Sequence, residues 1–163
     1  MQLTRHTDYA LRLLIYAARS TDPAVSVQSV AQAYNISAHH LAKVAQKLIR
    51  LGYLRGVRGR GGGLQLVRRP PDICIGAVVR GTEQTLALVE CFEPACRCAI
   101  EPVCGLKHAL REAQQAFFAV LDRYTLDDLL RKPAQLDRLL GIVRRPEREA
   151  IGKRSATAHQ NRS

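Results

Sequence analysis

The stretch Ser37–Val67, SAHHLAKVAQKLIRLGYLRGVRGRGGGLQLV, decides the fold. Ser37 has the chemistry of a helix N-cap, because its side-chain oxygen can accept a first-turn N–H that has no partner within the helix. Leu41, Val44, Leu48 and Leu51 then fall on one apolar stripe at helical spacing, and Gly52 offers the positive φ that ends a helix without steric cost. Two short β-prone segments follow, Tyr53–Val57 and Leu64–Val67, joined by Arg58-Gly59-Arg60-Gly61-Gly62-Gly63. The glycines at the centre supply the backbone conformations that a hairpin turn demands. Immediately upstream, Ser26 caps a short helix carrying Val27, Val30 and Ala31, and an irregular Tyr34-Asn35-Ile36 separates it from Ser37. Helix, tight connection, helix and hairpin together spell a winged helix-turn-helix.

Working outward, Leu11, Leu14, Ile15 and Ala18 recur at helical spacing, which predicts a first helix from Asp8 to about Arg19 before Asp22-Pro23 breaks it. On the other side, Pro70-Pro71 closes the wing and Ile75–Thr82 reads as one more short helix. Thr85–Val103 has two prolines, several cysteines and no steady period, and reads as a loop. From Cys104 to Tyr124 the residues Leu106, Leu110, Ala113, Phe117, Val120 and Tyr124 step by alternating threes and fours, a narrow seam that suits a partner helix. Thr125 and Asp128 resemble a capping box for a last short helix, Leu126–Arg131. After Val143 the chain is polar and basic, with Arg144, Arg145, Arg148, Lys153, Arg154 and Arg162, and is expected to be disordered.

The fold class expected is therefore mainly α with a small β-hairpin wing. Residues 1–82 form the winged helix-turn-helix, 83–104 a cysteine-rich loop, 105–143 a dimerisation helix with C-terminal short helices, and 144–163 the basic tail. A length of 163 residues accommodates one such domain with an oligomerisation element, not two full domains.

Charge narrows the function. Lys and Arg total 25 against 14 Asp and Glu, a net +11. From Ser26 to Arg69 there are eight basic residues, Lys43, Lys47, Arg50, Arg55, Arg58, Arg60, Arg68 and Arg69, and no acidic one. That interval coincides with the helix-turn-helix and wing, so the expected partner is double-stranded DNA. Ser37, Ala38, His39, His40 and Lys43 occupy the turn of the recognition helix that faces base edges, and Lys47 flanks them toward the phosphates. Arg58 and Arg60, set among glycines at the wing tip, have the shape and charge to enter a narrow minor groove.

Other classes are excluded or disfavoured. No run of apolar residues reaches membrane-spanning length. The first residues lack the apolar core of a secretory leader and include Asp8, which places the protein in the cytoplasm. Gly59–Gly63 lacks the Lys-Ser/Thr ending of a phosphate loop, no Cys-x-x-Cys pair is present, and no hydrolytic triad is visible. The expectation is a protein that is not an enzyme.

Four of the five cysteines, Cys91, Cys96, Cys98 and Cys104, fall within 14 residues. Structural zinc favours paired Cys-x₂₋₄-Cys knuckles, and here only Cys91-x₄-Cys96 and Cys96-x-Cys98 are close. Iron–sulfur clusters accept thiolates from a longer loop, and a loop opening into a helix at Cys104 aims first-turn N–H groups at an anionic cluster. By spacing alone an iron–sulfur cluster, zinc and a redox thiol switch all stay open.

A resemblance adds to this. Met1-Gln2-Leu3-Thr4 with Thr7-Asp8-Tyr9-Ala10-Leu11-Arg12, Leu41-Ala42-Lys43-Val44, Leu51-Gly52-Tyr53-Leu54, Arg58-Gly59-Arg60-Gly61-Gly62-Gly63-Leu64 and Ile75-Gly76 with Val78-Val79-Arg80 resemble the iron–sulfur winged-helix repressors typified by NsrR and IscR. Leu88-Val89-Glu90-Cys91-Phe92, Cys98-Ala99-Ile100-Glu101-Pro102-Val103-Cys104-Gly105-Leu106-Lys107 and Leu121-Asp122-Arg123-Tyr124-Thr125-Leu126 are most similar to the nitric-oxide-sensing members of the NsrR type. The resemblance covers about Met1 to Leu130. It implies a homodimeric repressor on a palindromic operator, with Cys91, Cys98 and Cys104 of one subunit and Asp8 of the other holding a 4Fe-4S cluster, a 2Fe-2S cluster being the alternative. Cys96 becomes an additional thiol and Cys74 a buried structural one. IscR-like members carry a histidine three residues after the last cysteine. Here that residue is Lys107, and His108 would point about 100° away on a helix. The implied signal is nitric oxide and the implied targets are genes for its detoxification. A regulator sensing iron or cluster supply is the alternative, with zinc or thiol-redox control behind it.

Overall fold

The computed structural model describes residues 2–142. Along the chain run α1 (Arg5–Arg19), α2 (Val27–Tyr34), α3 (Ala38–Arg50), β1 (Leu54–Val57), β2 (Gly63–Leu66), α4 (Ile75–Thr82), α5 (Gly105–Leu121) and α6 (Pro133–Leu139). Short 3₁₀ turns lie at Pro70–Asp72, Glu90–Phe92, Glu101–Val103 and Asp127–Leu130. The basic tail expected at 144–163 lies outside the described residues.

Local chemistry fixes the helix-turn-helix. Ser26 and Ser37 accept first-turn N–H groups from Ser29 and His40 and so cap α2 and α3. α2 stops because Asn35 adopts the left-handed conformation, φ 51°, which Asn tolerates better than most residues. α3 ends at Gly52, φ 73°, where the Gly52 N–H bonds the Ile49 carbonyl and the Tyr53 N–H bonds that of Leu48, the paired closure of a Schellman motif. Leu41, Val44 and Leu48 are buried as the stripe requires, and each contributes about 1.5–3 kcal/mol by leaving water.

The hairpin pairs Leu54 with Leu66 through Val57 with Gly63. It is anchored from outside: Val25 and Leu64 exchange both backbone hydrogen bonds at 2.8 Å, so an isolated bridge ties the segment before α2 to the two-stranded wing.

Several boundaries differ from the sequence reading. α1 starts at Arg5, not Asp8, because Thr4 is its cap and receives the Thr7 N–H. Of the expected stripe Leu14 is fully buried, while Leu11, Ile15 and Ala18 are only partly buried; the centre of the buried face shifts to Thr7, Ala10, Leu13 and Leu14, since α3, α4 and β2 all pack on it. α5 ends at Leu121, not Tyr124. The chain beyond it is drawn into pairing with the entry to α4, the Ile75 N–H bonding the Tyr124 carbonyl and the Leu126 N–H that of Ile73. Thr125 and Asp128 do form the reciprocal box, with Asp128 accepting both the backbone N–H and the hydroxyl of Thr125 at 2.8 Å, but the turn that follows is 3₁₀. α6 was not placed by the sequence. Arg19 and Asp137 fasten it to α1.

Candidate nucleic-acid interface and cysteine loop

α3 presents one face of its first two turns outward. Ser37, His39, His40 and Lys43 are exposed, the two imidazole rings lie 6.0 Å apart, and Lys47 is half-buried. Ala38, the first residue of α3, is half-buried and packs in part against the core. At the wing tip Arg58 and Arg60 are exposed on either side of Gly59, φ 97°, and the Gly62 N–H closes the turn onto the Gly59 carbonyl at 2.9 Å.

The eight cations are not equivalent. Arg55 donates twice to Gln65 Oε1, Arg69 is paired with Asp72 at 3.0 Å, and the Arg68 guanidinium lies over the Tyr53 ring at 5.4 Å. Lys43, Arg58 and Arg60 make no ion pair among the described residues. These three hold their charge ready for an external anion.

The sequence reading missed a contribution from α1. Arg5, His6 and Tyr9 stand beside His40, Lys43 and Val44 around one cleft. Burial pushes the His6 imidazole below its ordinary pKa, Lys47 and Arg50 add to the shift, and Glu83 opposes it. More than thirty residues separate this part of α1 from α3, and only tertiary packing brings them together.

Asp8 lies one turn into α1 and is half-exposed. Arg12 holds it through Nε at 3.0 Å to one oxygen and through its terminal nitrogen at 2.8 Å to the other. The same guanidinium lies 6.0 Å from the Tyr9 ring and 5.6 Å from Tyr34 at the end of α2. Burial pushes the Tyr34 hydroxyl up to about 12 against an opposing pull from Arg12.

The N-terminus of α1 is pinned to α4: the Thr4 N–H and hydroxyl both reach Glu83, and the buried Thr7 and Thr82 hydroxyls meet at 3.0 Å. α4 is pinned in turn to the end of α5 by the two-pronged Arg80–Asp122 pair at 2.6 and 2.7 Å. A continuous set of contacts therefore runs from Asp8's helix to the end of α5.

In the cysteine loop, Cys91 sits half-buried in the Glu90–Phe92 turn, Cys98 is exposed, and Cys104 is half-buried at the N-cap position of α5 with no side-chain bond into that helix. Cys96 is half-buried and its sulfur accepts the Cys98 N–H at 3.4 Å. None of the five cysteines forms a disulfide. Among the described residues no three His, Cys, Asp or Glu side chains are gathered as a metal site, so Cys91, Cys98, Cys104 and Asp8 are not brought together within one chain. The donor chemistry nevertheless fits an iron–sulfur group. Three unbridged thiols lie on one short loop, and the last of them stands at the N-terminus of a 17-residue helix whose first-turn N–H groups favour negative charge. Lys107 pairs with Glu101 and His108 is exposed. Cys74 is half-buried rather than buried, its sulfur 3.7 Å from the Asp122 carbonyl and carboxylate oxygens.

An outer face this basic on a recognition helix, backed by a glycine-tipped wing, is the working surface of winged-helix DNA-binding regulators, and that is the class of this chain. Within the class it belongs to the Rrf2 family, described as iron-dependent transcriptional regulators, which it matches over residues 3–132. It is 49% identical over 142 residues to the HTH-type transcriptional regulator NsrR of Geobacillus kaustophilus, a match covering 86% of this chain and 97% of that protein. The NsrR of Bacillus subtilis is 49% identical with the same coverage. In three dimensions the chain is similar to CymR, the global cysteine regulator of Bacillus subtilis, with a TM-score of 0.65 and 26% identity over 79% of this chain and 95% of that one. The chain is a transcriptional regulator and not an enzyme. No helix of the described residues is long and apolar enough to cross a membrane.

Proposed function

We propose that the chain is a cytoplasmic, homodimeric repressor that binds a palindromic operator in double-stranded DNA and releases it in response to nitric oxide, so that nitric oxide detoxification genes are expressed. The observation that carries this reading is the set Cys91, Cys98 and Cys104, three unbridged thiols ending at the N-terminus of α5, in a chain 49% identical to regulators named NsrR. Those thiols from one subunit and Asp8 from the other would hold an iron–sulfur cluster, 4Fe-4S in the first instance and 2Fe-2S as the alternative. When bound, such a cluster supplies iron that reacts with nitric oxide.

The chain's own part follows from its residues. A carboxylate is a harder and less matched partner for cluster iron than a thiolate, so Asp8 is the most easily displaced of the four. Asp8 has a second engagement within its own subunit, the ion pair with Arg12, and Arg12 also lies over Tyr34 in the helix-turn-helix. Exchange of Asp8 between the two engagements therefore reaches the recognition unit directly. A 100-fold loss of operator affinity requires only about 2.8 kcal/mol of coupling, within the scale of one lost bond between subunits.

Anaerobic purification with absorbance and Mössbauer spectra, followed by DNA binding with and without nitric oxide, tests the reading. A coloured protein whose DNA affinity falls with nitric oxide is expected. A colourless zinc protein, or a cluster-loaded one indifferent to nitric oxide, removes the sensor role. Cys91→Ala, Cys98→Ala and Cys104→Ala should each abolish the cluster spectrum, and Cys96→Ala should spare it. The family's description as iron-dependent favours a second reading, a regulator of iron or cluster supply. A response to iron starvation without nitric oxide would select it.

A further inference from the structure

Between α1 and α3 lies a cleft of about 230 Å³ lined by Arg5, His6, Tyr9, His40, Lys43 and Val44. On α1, Arg5 and Tyr9 are four residues apart and share a face; on α3, Lys43 and Val44 follow His40 by three and four residues and flank the same face. Arg5, His40 and Lys43 are exposed at its mouth, whereas Val44 is buried at its floor and Tyr9 is half-buried. No carboxylate lines it, and the nearby acids are already engaged, Asp8 by Arg12 and Glu83 by Thr4. The cleft thus has an apolar floor and a cationic rim, and it is continuous with the outward turns of the recognition helix.

We propose that this cleft seats one sugar–phosphate unit of the operator backbone, the deoxyribose against Tyr9 and Val44 and the phosphate between Arg5 and Lys43, so that α1 is itself part of the DNA-contacting surface. The inference rests on the DNA-binding reading and deepens it. An apolar floor suits a sugar face, a cationic rim suits a phosphate, and phosphate contacts fix a protein's register on the duplex without reading sequence. The consequence concerns signalling. Asp8 lies on the same first turns of α1 as Arg5 and Tyr9, though outside the cleft itself, so a change in what Asp8 engages acts on the helix that carries this DNA contact. α3 does not have to move as a unit.

The test uses the full chain and two duplexes, one recovered by the protein itself from a randomised pool and one of unrelated sequence, titrated across a salt series. Arg5→Ala is expected to weaken binding to both by about tenfold and to lower the salt slope by about two units for a dimer, one phosphate per subunit. Arg131→Ala, which removes an exposed cation that does not line the cleft, should leave the slope unchanged. Arg5 is exposed, so the variant should fold, and circular dichroism verifies that it does. Wild-type affinity and slope in Arg5→Ala, with Lys43→Ala impaired, overturn the α1 contact while sparing the DNA reading. If dodecyl phosphate also shifts the Tyr9 ring resonances of such a protein, the cleft belongs to an anionic amphiphile instead. Failure of the wild-type chain to bind either duplex overturns the DNA reading and the seat together.

Discussion

Arg19 and Asp137 form an ion pair whose side chains retain only 13% and 10% of their exposure, with Nε at 2.8 Å and the terminal nitrogen at 2.7 Å from the two carboxylate oxygens. Taking two charges out of water is costly, so the pair is weak evidence for stability by itself; removing one partner is a different matter, because it leaves the other charge buried. Arg19→Ala or Asp137→Ala should therefore destabilise the chain by about 3 kcal/mol. Arg19→Met with Asp137→Leu should recover most of that loss. Urea unfolding of the two single variants and the double variant measures the difference, and equal losses in all three would show that the fork geometry itself carries the attachment of α6. The pair was not legible in the sequence, because 118 positions separate its members and neither stands in a motif. Thr4 was equally hidden as a cap: its partner at the third helical position is Thr7, where a Glu or Gln would have announced it.

At the scale of elements, the wing shows what local pattern can and cannot deliver. Gly59 and Gly61 stand at φ 97° and 76°, where the glycine-rich turn was expected to need them. Gly63 serves another purpose. A Cβ there would meet the Val25 carbonyl oxygen at 2.5 Å, so glycine is required for the backbone to approach the segment that precedes α2. Gly63→Ala should break the Val25–Leu64 bridge, loosen the wing from the helix-turn-helix and destabilise the chain by about 2 kcal/mol, as overpacking does. Amide exchange at Val25 and Leu64 should quicken in that variant, and unchanged protection at both would refute the role given to Gly63. The helix-turn-helix and hairpin were legible because their signals are short-range: serine caps, a period of three to four, and Gly52. The early end of α5 was not, since pairing of Tyr124–Leu126 with Ile73–Ile75 overrides a period that continues past Leu121. The cysteine loop was legible as chemistry but not as geometry. Its spacing identifies thiols near a helix start, while nothing local specifies where they converge.

At the scale of the whole molecule, α5 has two faces with different uses. Phe118 and Leu121 turn inward, Phe118 lying under the Arg80 guanidinium at 4.5 Å, and Gln114 bonds the Leu86 carbonyl. Leu106, Val120 and Tyr124 on the heptad stripe remain 66%, 44% and 43% exposed, whereas Phe117 on the same stripe packs on the core, so the chain's own core leaves only part of that stripe uncovered. In the proposed homodimer, a second copy of α5 would cover that exposed part, as its period suggests. Two subunits contacting six to ten phosphates should lose about 10³- to 10⁵-fold in affinity between 50 and 200 mM salt. Val120→Glu places a charge in the seam at an exposed position where Glu is a good helix former, so the helix should persist while the pairing fails. Sedimentation equilibrium should then show a monomer, and the slope of log affinity against log salt should fall to about half, because one subunit retains only its own phosphate contacts. A Val120→Glu protein that stays dimeric with the full slope would move the subunit interface off α5, and with it the expectation that Cys104 of one subunit and Asp8 of the other meet across that seam.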